Sequence, residues 1–437
     1  MHTAELVESV IRYTHRHPGA TLAQIAQAMH YSPYHLHRCF SQAVGMSVRD
    51  YALRVRLTRG AALLSYTQKP VMEIALACGY ESQQAFSDAF SAAYHCPPAR
   101  FRRQGQFYPL QPRVSAERLM AAGMYASVMK KEAANMKDQG SMTALMSAFG
   151  RAYHAQHEKT PVFDDYRAPE LFSEAEYASV RESILAGKDF FGVEPAQAQQ
   201  GEEAILHSLV HTHIAPTPLC RAAYCEQALA TAERTGTRQY VILGAGLDTF
   251  AFRNPSFVAA HRVYEVDHPA TQADKRRRIT RAGWTEPDNL RLVGVDFAAD
   301  DLREKLVQAG LDAAQKTFFS WLGVSYYLTR EQIGRMLQSV SSLCAQGSTL
   351  VFDYADQGLF QAKERRVQNM LALAAAGGEP MKSCFAYREL ETLLEQYGFL
   401  IYETLSPAQI QARLIDGRCA DMQAFEHIHY VQAVRMG

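Results

Sequence analysis

The chain is 437 residues long, with 48% hydrophobic residues, 21% charged residues and no formal net charge; that length predicts two or three domains with ordinary cores and excludes a largely disordered chain. No apolar run reaches the ~18 residues that span a bilayer, the first thirty residues lack a signal-peptide apolar stretch, and the eight cysteines form no C-x-x-C pair, so a cytoplasmic protein is expected, without membrane insertion, a zinc site or a disulfide framework. The zero balance hides an asymmetry: residues 1–110 hold eleven Lys/Arg against six Asp/Glu, a basic first quarter on an acidic remainder, which points to parts with different partners.

Thr21-Leu22-Ala23-Gln24 is a capping box, with a hydroxyl at the N-cap and an amide three residues on to bond back. Leu22, Ile25, Ala26 and Met29 follow at helical spacing. After a turn at His30-Tyr31, Ser32-Pro33 restarts a helix that runs to about Val44, with Leu36, Phe40 and Ala43 inward and Tyr34, His35, His37 and Arg38 outward. The pattern recurs: a short helix Val71–Cys78, a turn at Gly79-Tyr80-Glu81, and a helix capped by Ser82 with Gln83, Gln84, Ser87 and Asp88 outward and Phe86 and Phe90 inward. A longer helix, about Val48 to Leu64, joins the pairs, with Arg49, Arg54, Arg56 and Arg59 partly facing phosphate. Helix, short turn and a second helix with a polar, cationic face is the arrangement that enters a major groove.

The segment resembles the AraC/XylS family of bacterial transcription regulators, and within it the short Rob/MarA-like members. The match rests on Ile25-Ala26, Ser32 to Phe40, Ile74-Ala75, Gly79-Tyr80, Ser82 to Phe86, Phe90, Pro97 and Phe101-Arg102, over about residues 5–104. The resemblance implies an all-α double helix-turn-helix domain over 1–106 whose two recognition helices enter double-stranded DNA about one helical turn apart. Tyr34, His37 and Arg38 lie on the first, and Gln83, Gln84 and Ser87 on the second. Asp88 stands where the family usually has a basic residue, and His95 replaces the customary glycine before Cys96-Pro97.

Residues 107–140 read as a helical linker: Gly105, Pro109 and Pro112 punctuate the exit, Ser115 to Asn135 has helical composition, and Gly140-Ser141 marks a boundary. From 141 the chain begins helical and then alternates. The expected strands are Tyr240–Leu243, Arg262–Asp267, Leu290–Asp296, Thr317–Trp321, Thr349–Asp353, Leu400–Thr404 and His429–Val434. Short apolar strands alternating with helices predict a doubly wound α/β domain with a parallel sheet covered on both faces, and the last two strands predict an antiparallel pair at its edge.

The chemistry concentrates at three strand ends. Leu243-Gly244-Ala245-Gly246 is a strand followed by a glycine turn, where backbone can approach a ligand. Thr249 stands where a dinucleotide fingerprint has its third glycine. The next strand ends in Asp267, about twenty residues on, where a carboxylate can hold a ribose diol. The third ends in Asp296-Phe297, an acid to accept from an exocyclic amine beside a ring that stacks. With no phosphate loop, the site reads as one for a nucleoside without pyrophosphate, S-adenosylmethionine.

Residues 141–437 resemble the leucine carboxyl methyltransferase family, particularly its bacterial branch. The match rests on Ser141 to Ala144, Gly150-Arg151-Ala152, Arg221, Leu243 to Thr249, Arg253, Glu265 to Pro269, Lys275, Val295-Asp296-Phe297, Leu322-Gly323-Val324 and Tyr327-Leu328. The resemblance implies a Rossmann-like class I fold. In it Arg221 pairs with the methionine carboxylate of the cofactor, Gly244, Ala245 and Gly246 face its aminoacyl part, Asp267 holds the ribose, and Asp296 and Phe297 hold the adenine. Leu322 stands where many members have an acid, and Phe250 where bacterial members often have arginine. The expected activity is O-methylation, carboxyl-directed, of a small molecule or a peptide terminus; the competing reading is a regulator whose methyltransferase-like domain senses a metabolite without turnover. A carboxylate acceptor is anionic at neutral pH and needs no general base, so no catalytic dyad is assigned. Tyr326, Tyr327, Asp353, Tyr354 and His213 are candidate acceptor-pocket residues, with helical residues 141–220 as the acceptor-binding part.

Overall fold

The structure, a computed structural model, describes residues 3–105, 107–135, 141–193, 200–297, 299–377 and 379–437. The chain forms two compact units. The first comprises 1–131 together with 189–192 and 360–383, and the second the rest.

The first unit is all-helical. Thr21 caps Leu22–Ala28 with both halves of the capping box in place, and Ser32 caps Pro33–Val44 with Pro33 in the first turn. Val71–Ala77 and the Ser82-capped Gln83–Tyr94 repeat the pair, and Val48–Tyr66 joins them. Leu36, Phe40 and Val44 anchor one core, and Ile74, Phe86 and Phe90 a second. His95 closes the helix Gln83–Tyr94 at φ +56°, in the left-handed region where glycine is favoured. The expected helical linker packs on this unit. Its helix Ala116–Asn135 buries Ala116 and Leu119 in the first core, and Gly123 lies against the Val44 carbonyl so closely that no Cβ fits there. Gly140, which marks the expected boundary, lies outside the described residues.

The second unit is a seven-stranded sheet covered by helices. The strands are β1 (Gln239–Leu243), β2 (Arg262–Asp267), β3 (Leu290–Gly294), β4 (Thr317–Trp321), β5 (Thr349–Ala355), β6 (Phe399–Leu405) and β7 (Ile428–Arg435), in the order β3-β2-β1-β4-β5-β7-β6. The first five run parallel, and β7 lies antiparallel between β5 and β6, so the expected antiparallel pair is present with β6 outermost. Every residue of β1, β4 and β5 is buried, as strands covered on both faces must be. β3 stops at Gly294, two residues short of the expected end. Beyond it the Asp296 N–H is taken by the Asp300 carboxylate at 2.9 Å, which turns the chain out of the sheet. The strand order reverses between β1 and β4, which puts the crevice of a doubly wound sheet at the end of β1.

Candidate functional site

At that crevice β1 runs into Gly244 (φ +74°) and Gly246 (φ +51°), both in the region that disfavours side chains. The N–H groups of Gly244 and Ala245 both donate to the Val266 carbonyl, at 2.8 and 3.0 Å, so the turn is clipped to the end of β2. Asp267 then closes the clasp: its Oδ2 accepts from Gly246 N–H and its Oδ1 from His268 N–H, each at 2.7 Å. A carboxylate has about four acceptor positions, so each oxygen keeps capacity for a diol. Val295 N–H donates to the Asp267 carbonyl at 2.9 Å, which carries the rim on to Asp296 and Phe297. The Phe297 ring is 40% exposed, so it retains area on which a base can stack.

A buried network supports the turn. Arg151, on the helix Met142–His157, donates to Asp165 at 2.5 Å and to the Leu247 carbonyl at 2.8 Å. Asp165 also accepts from Thr249 Oγ1 at 2.5 Å and pairs with Arg253, which reaches Glu226 on its other side. Thr249 therefore replaces the third fingerprint glycine with a hydroxyl that anchors the loop. Gly150-Arg151 and Arg253 were legible as motif positions. Asp165 was not, because its partners are distant in the chain. Behind β2, Glu265 is fully buried against Lys275; burial pushes its carboxyl up to about 7 although the ammonium opposes the shift.

Arg221, on the helix Pro216–Arg234, stands at the ends of β4 and β5. Its guanidinium lies 3.7 Å from the buried Asp353, whose Oδ1 accepts from Gly323 N–H at 2.6 Å. Tyr326 O–H reaches Asp353 Oδ2 at 3.5 Å. Gly323 (φ +76°) has no room for a Cβ beside the guanidinium. Burial raises the Asp353 carboxyl above its usual range, against the opposing pull of Arg221, and raises the Tyr326 phenol. Of the candidate acceptor residues, Asp353 and Tyr326 thus meet Arg221, and Tyr327 stacks edge-on with Tyr326 at 5.0 Å. Tyr354 is buried against His429 on the other side of the strand, and His213 lies in the π-helical turn Val210–Ile214. The glycine turn, Asp267, Asp296 and Phe297 share one rim, and Arg221 adds a cation at the neighbouring strand ends.

A histidine cluster escaped the sequence reading. His154, Glu158, His211 and Cys419 bring ligand-type atoms within 4.8 Å of one another. Hydrogen bonding orders them as a chain: Val162 N–H donates to His154 Nε2 at 2.9 Å, so a neutral His154 carries its proton on Nδ1, 3.4 Å from His211 Nε2. His211 in turn presents Nδ1 to Cys419 Sγ at 3.8 Å. Burial lowers His154 to about 4 and His211 to about 3, keeping both neutral.

In the first unit the expected DNA-reading residues lie on the two second helices. Tyr34 is 75% exposed, His37, Arg38, Gln83 and Gln84 are exposed, and Ser87 is half-buried. Asp88 accepts from Gln84 Nε2 at 2.7 Å, which orients that amide and leaves its oxygen and second N–H outward. Two of the cations expected at phosphate are engaged internally: Arg54 donates to the Ala375 carbonyl at 3.0 Å, and Arg56 to the carbonyls of Cys78 and Gly79 while lying over Tyr80.

The leucine carboxyl methyltransferase family matches residues 144–341, and a helix-turn-helix domain family matches 25–104. The protein described as "Putative S-adenosyl-L-methionine-dependent methyltransferase YktD" of Bacillus subtilis (strain 168) is 45% identical over 302 residues, 68% of this chain and 99% of that protein. The chain belongs to the leucine carboxyl methyltransferase family. Its first quarter is similar to the HTH-type transcriptional regulator YbfP of the same bacterium, 36% identical over 104 residues, 23% of this chain and 35% of that one. Among solved structures, the C-terminal domain of AraT, a response regulator from Geobacillus stearothermophilus, is 31% identical over 24% of this chain and 88% of its own, with a TM-score of 0.23. The chain thus joins a domain of the leucine carboxyl methyltransferase family to a helix-turn-helix domain.

Proposed function

We propose that the second unit binds S-adenosylmethionine at the β1–β3 rim and transfers its methyl group to the carboxylate of a small molecule, while the first unit binds double-stranded DNA sequence-specifically. The clasp of Gly246 on Asp267 is the observation that carries the reading: a close-approach glycine backbone and a carboxylate with spare acceptor capacity stand together at the switch point. Gly244, Ala245 and Gly246 offer backbone to the aminoacyl part, Asp267 accepts from the ribose hydroxyls, Asp296 and Phe297 take the adenine, and Arg221 holds the methionine carboxylate. Leu322 supplies no acid, so the charge on the cofactor's side of the site rests on Asp267 and Asp296.

When bound, the cofactor supplies an already activated methyl carbon. The protein's part is to align the acceptor in line with it and to exclude water. Asp353 and Tyr326 fix Arg221 in place, which orients the bound carboxylate without any proton transfer. On the first unit, Arg38 and His37 approach phosphate or guanine, and Gln83 and Gln84 present amides to base edges. Transfer of tritiated methyl to a metabolite extract, with and without promoter DNA, tests the whole reading. Label in an acidic, ester-forming fraction is expected, and cofactor binding without any transfer would overturn the enzymatic part.

A further inference from the structure

The first unit contains a cavity apart from the base-reading residues and the methyl-transfer site, lined in part by Arg59, one of the cations expected to face phosphate. Its volume is about 330 Å³, within the range of small-molecule sites. Val55, Phe107, Phe360 and Leu371 make its walls apolar, with the two phenyl rings edge-on at 6.5 Å. Its polar groups are few. Arg59 and Arg113 line it and are exposed, and among the described residues neither guanidinium has a carboxylate within ion-pair distance. Gln111 also lines it and is only 4% exposed. Gln111 Nε2 donates to the Pro112 carbonyl at 3.3 Å, but among the described residues its Oε1 has no hydrogen-bond partner. A buried amide oxygen with no protein donor is an arrangement that calls for explanation.

We infer that this cavity binds a small amphipathic carboxylic acid that carries a hydroxyl or amide N–H. The carboxylate meets Arg59 and Arg113, the donor satisfies Gln111 Oε1, and the apolar body lies between Phe107 and Phe360. Two features connect such a ligand to DNA binding. Thr58 Oγ1 accepts from the N–H groups of Leu110 and Gln111, at 3.0 and 3.1 Å, and so ties the cavity loop to the helix Val48–Tyr66. On that helix Gly60 approaches Phe86 so closely that a Cβ would come within 2.8 Å of the ring. Phe86 belongs to the second recognition helix. Filling the cavity on one side of the connecting helix is therefore felt by the helix that reads DNA, and the acid acts as an effector.

The test uses the full chain with saturating S-adenosylhomocysteine, so that the rim of the second unit is occupied. Calorimetry with 3-hydroxyoctanoate is expected to give saturable one-to-one binding. Octanoate, which lacks the donor, and methyl 3-hydroxyoctanoate, which lacks the charge, are each expected to bind about tenfold more weakly. Gln111→Leu is expected to abolish the preference for the hydroxyl while keeping octanoate affinity, and Arg113→Gln to narrow the gap between acid and ester. Saturating hydroxy acid is expected to change promoter affinity at least threefold. No saturable binding, equal binding of acid and ester, an unchanged hydroxyl preference in Gln111→Leu, or binding that appears only without S-adenosylhomocysteine would overturn the site. Unaltered promoter affinity would overturn the effector role.

Discussion

The two units place their proposed functional groups in opposite ways. In the DNA-binding unit, Tyr34, His37, Arg38, Gln83 and Gln84 project from helix surfaces into solvent, and the fold beneath them is apolar packing. In the methyltransferase unit, the groups proposed to hold the cofactor are held from behind by buried charge: Arg151, Asp165 and Arg253 beneath the glycine turn, and Asp353 behind Arg221. Surface readers can vary without threatening the fold. A site built on buried pairs ties function to stability, because a charge left alone inside is far more costly than one left in water.

Acid should separate the units most. His154 and His211 stay neutral when folded, with values of about 4 and about 3 against 6.5 unfolded. As pH falls below 6.5 the unfolded chain binds protons that the folded one refuses, and stability is lost at about 1.4 kcal/mol per pH unit per histidine until the folded values are reached. Both tryptophans, Trp284 and Trp321, lie in the methyltransferase unit. Their fluorescence should therefore report a melting temperature that drops steeply between pH 6.5 and 4; a flat response would show that the cluster does not remain neutral.

Breaking a buried pair is the next largest effect. Asp353→Asn leaves Arg221 without its counter-ion and is expected to destabilise the methyltransferase unit by about 3 kcal/mol, measured by urea unfolding followed through tryptophan emission. Asp267→Ala leaves the buried Gly246 N–H without its acceptor and should cost about 1–2 kcal/mol of stability, less than Asp353→Asn, but should weaken S-adenosylmethionine about a hundredfold by calorimetry. Unchanged binding in that variant would reject the ribose assignment.

On the DNA side the expected effects are smaller and confined to binding. Gln84→Ala should cost about 1–3 kcal/mol at one base position and relax specificity there. Arg38→Ala should lower affinity across sequences and reduce the slope of log affinity against log salt by about one. Neither variant should shift the melting temperature. A stability loss comparable to that of Asp353→Asn would erase the contrast between the units.

Much of both units was legible because the signals are local. Capping residues Thr21, Ser32 and Ser82 sit within three residues of the amides they bond, and the glycine turn adjoins the strand that delivers it. The end of β3 was read two residues too long, since apolar periodicity cannot show that Asp300 would take the Asp296 N–H. Arg54 looked like a phosphate ligand because the Ala375 carbonyl that holds it lies 321 residues away in the chain.

By itself the sequence determined the elements, their order and the residue types at the strand ends, since helix caps, alternation and glycine conformation are decided by neighbours in the chain. Tertiary structure alone decided that segment 360–383 joins the first unit, that Asp165 and Asp353 serve as internal counter-ions, and that Gln111 faces a cavity without a donor. Each of these depends on contacts between residues far apart in the chain, and the desolvation that makes such contacts matter exists only once the chain has closed around them.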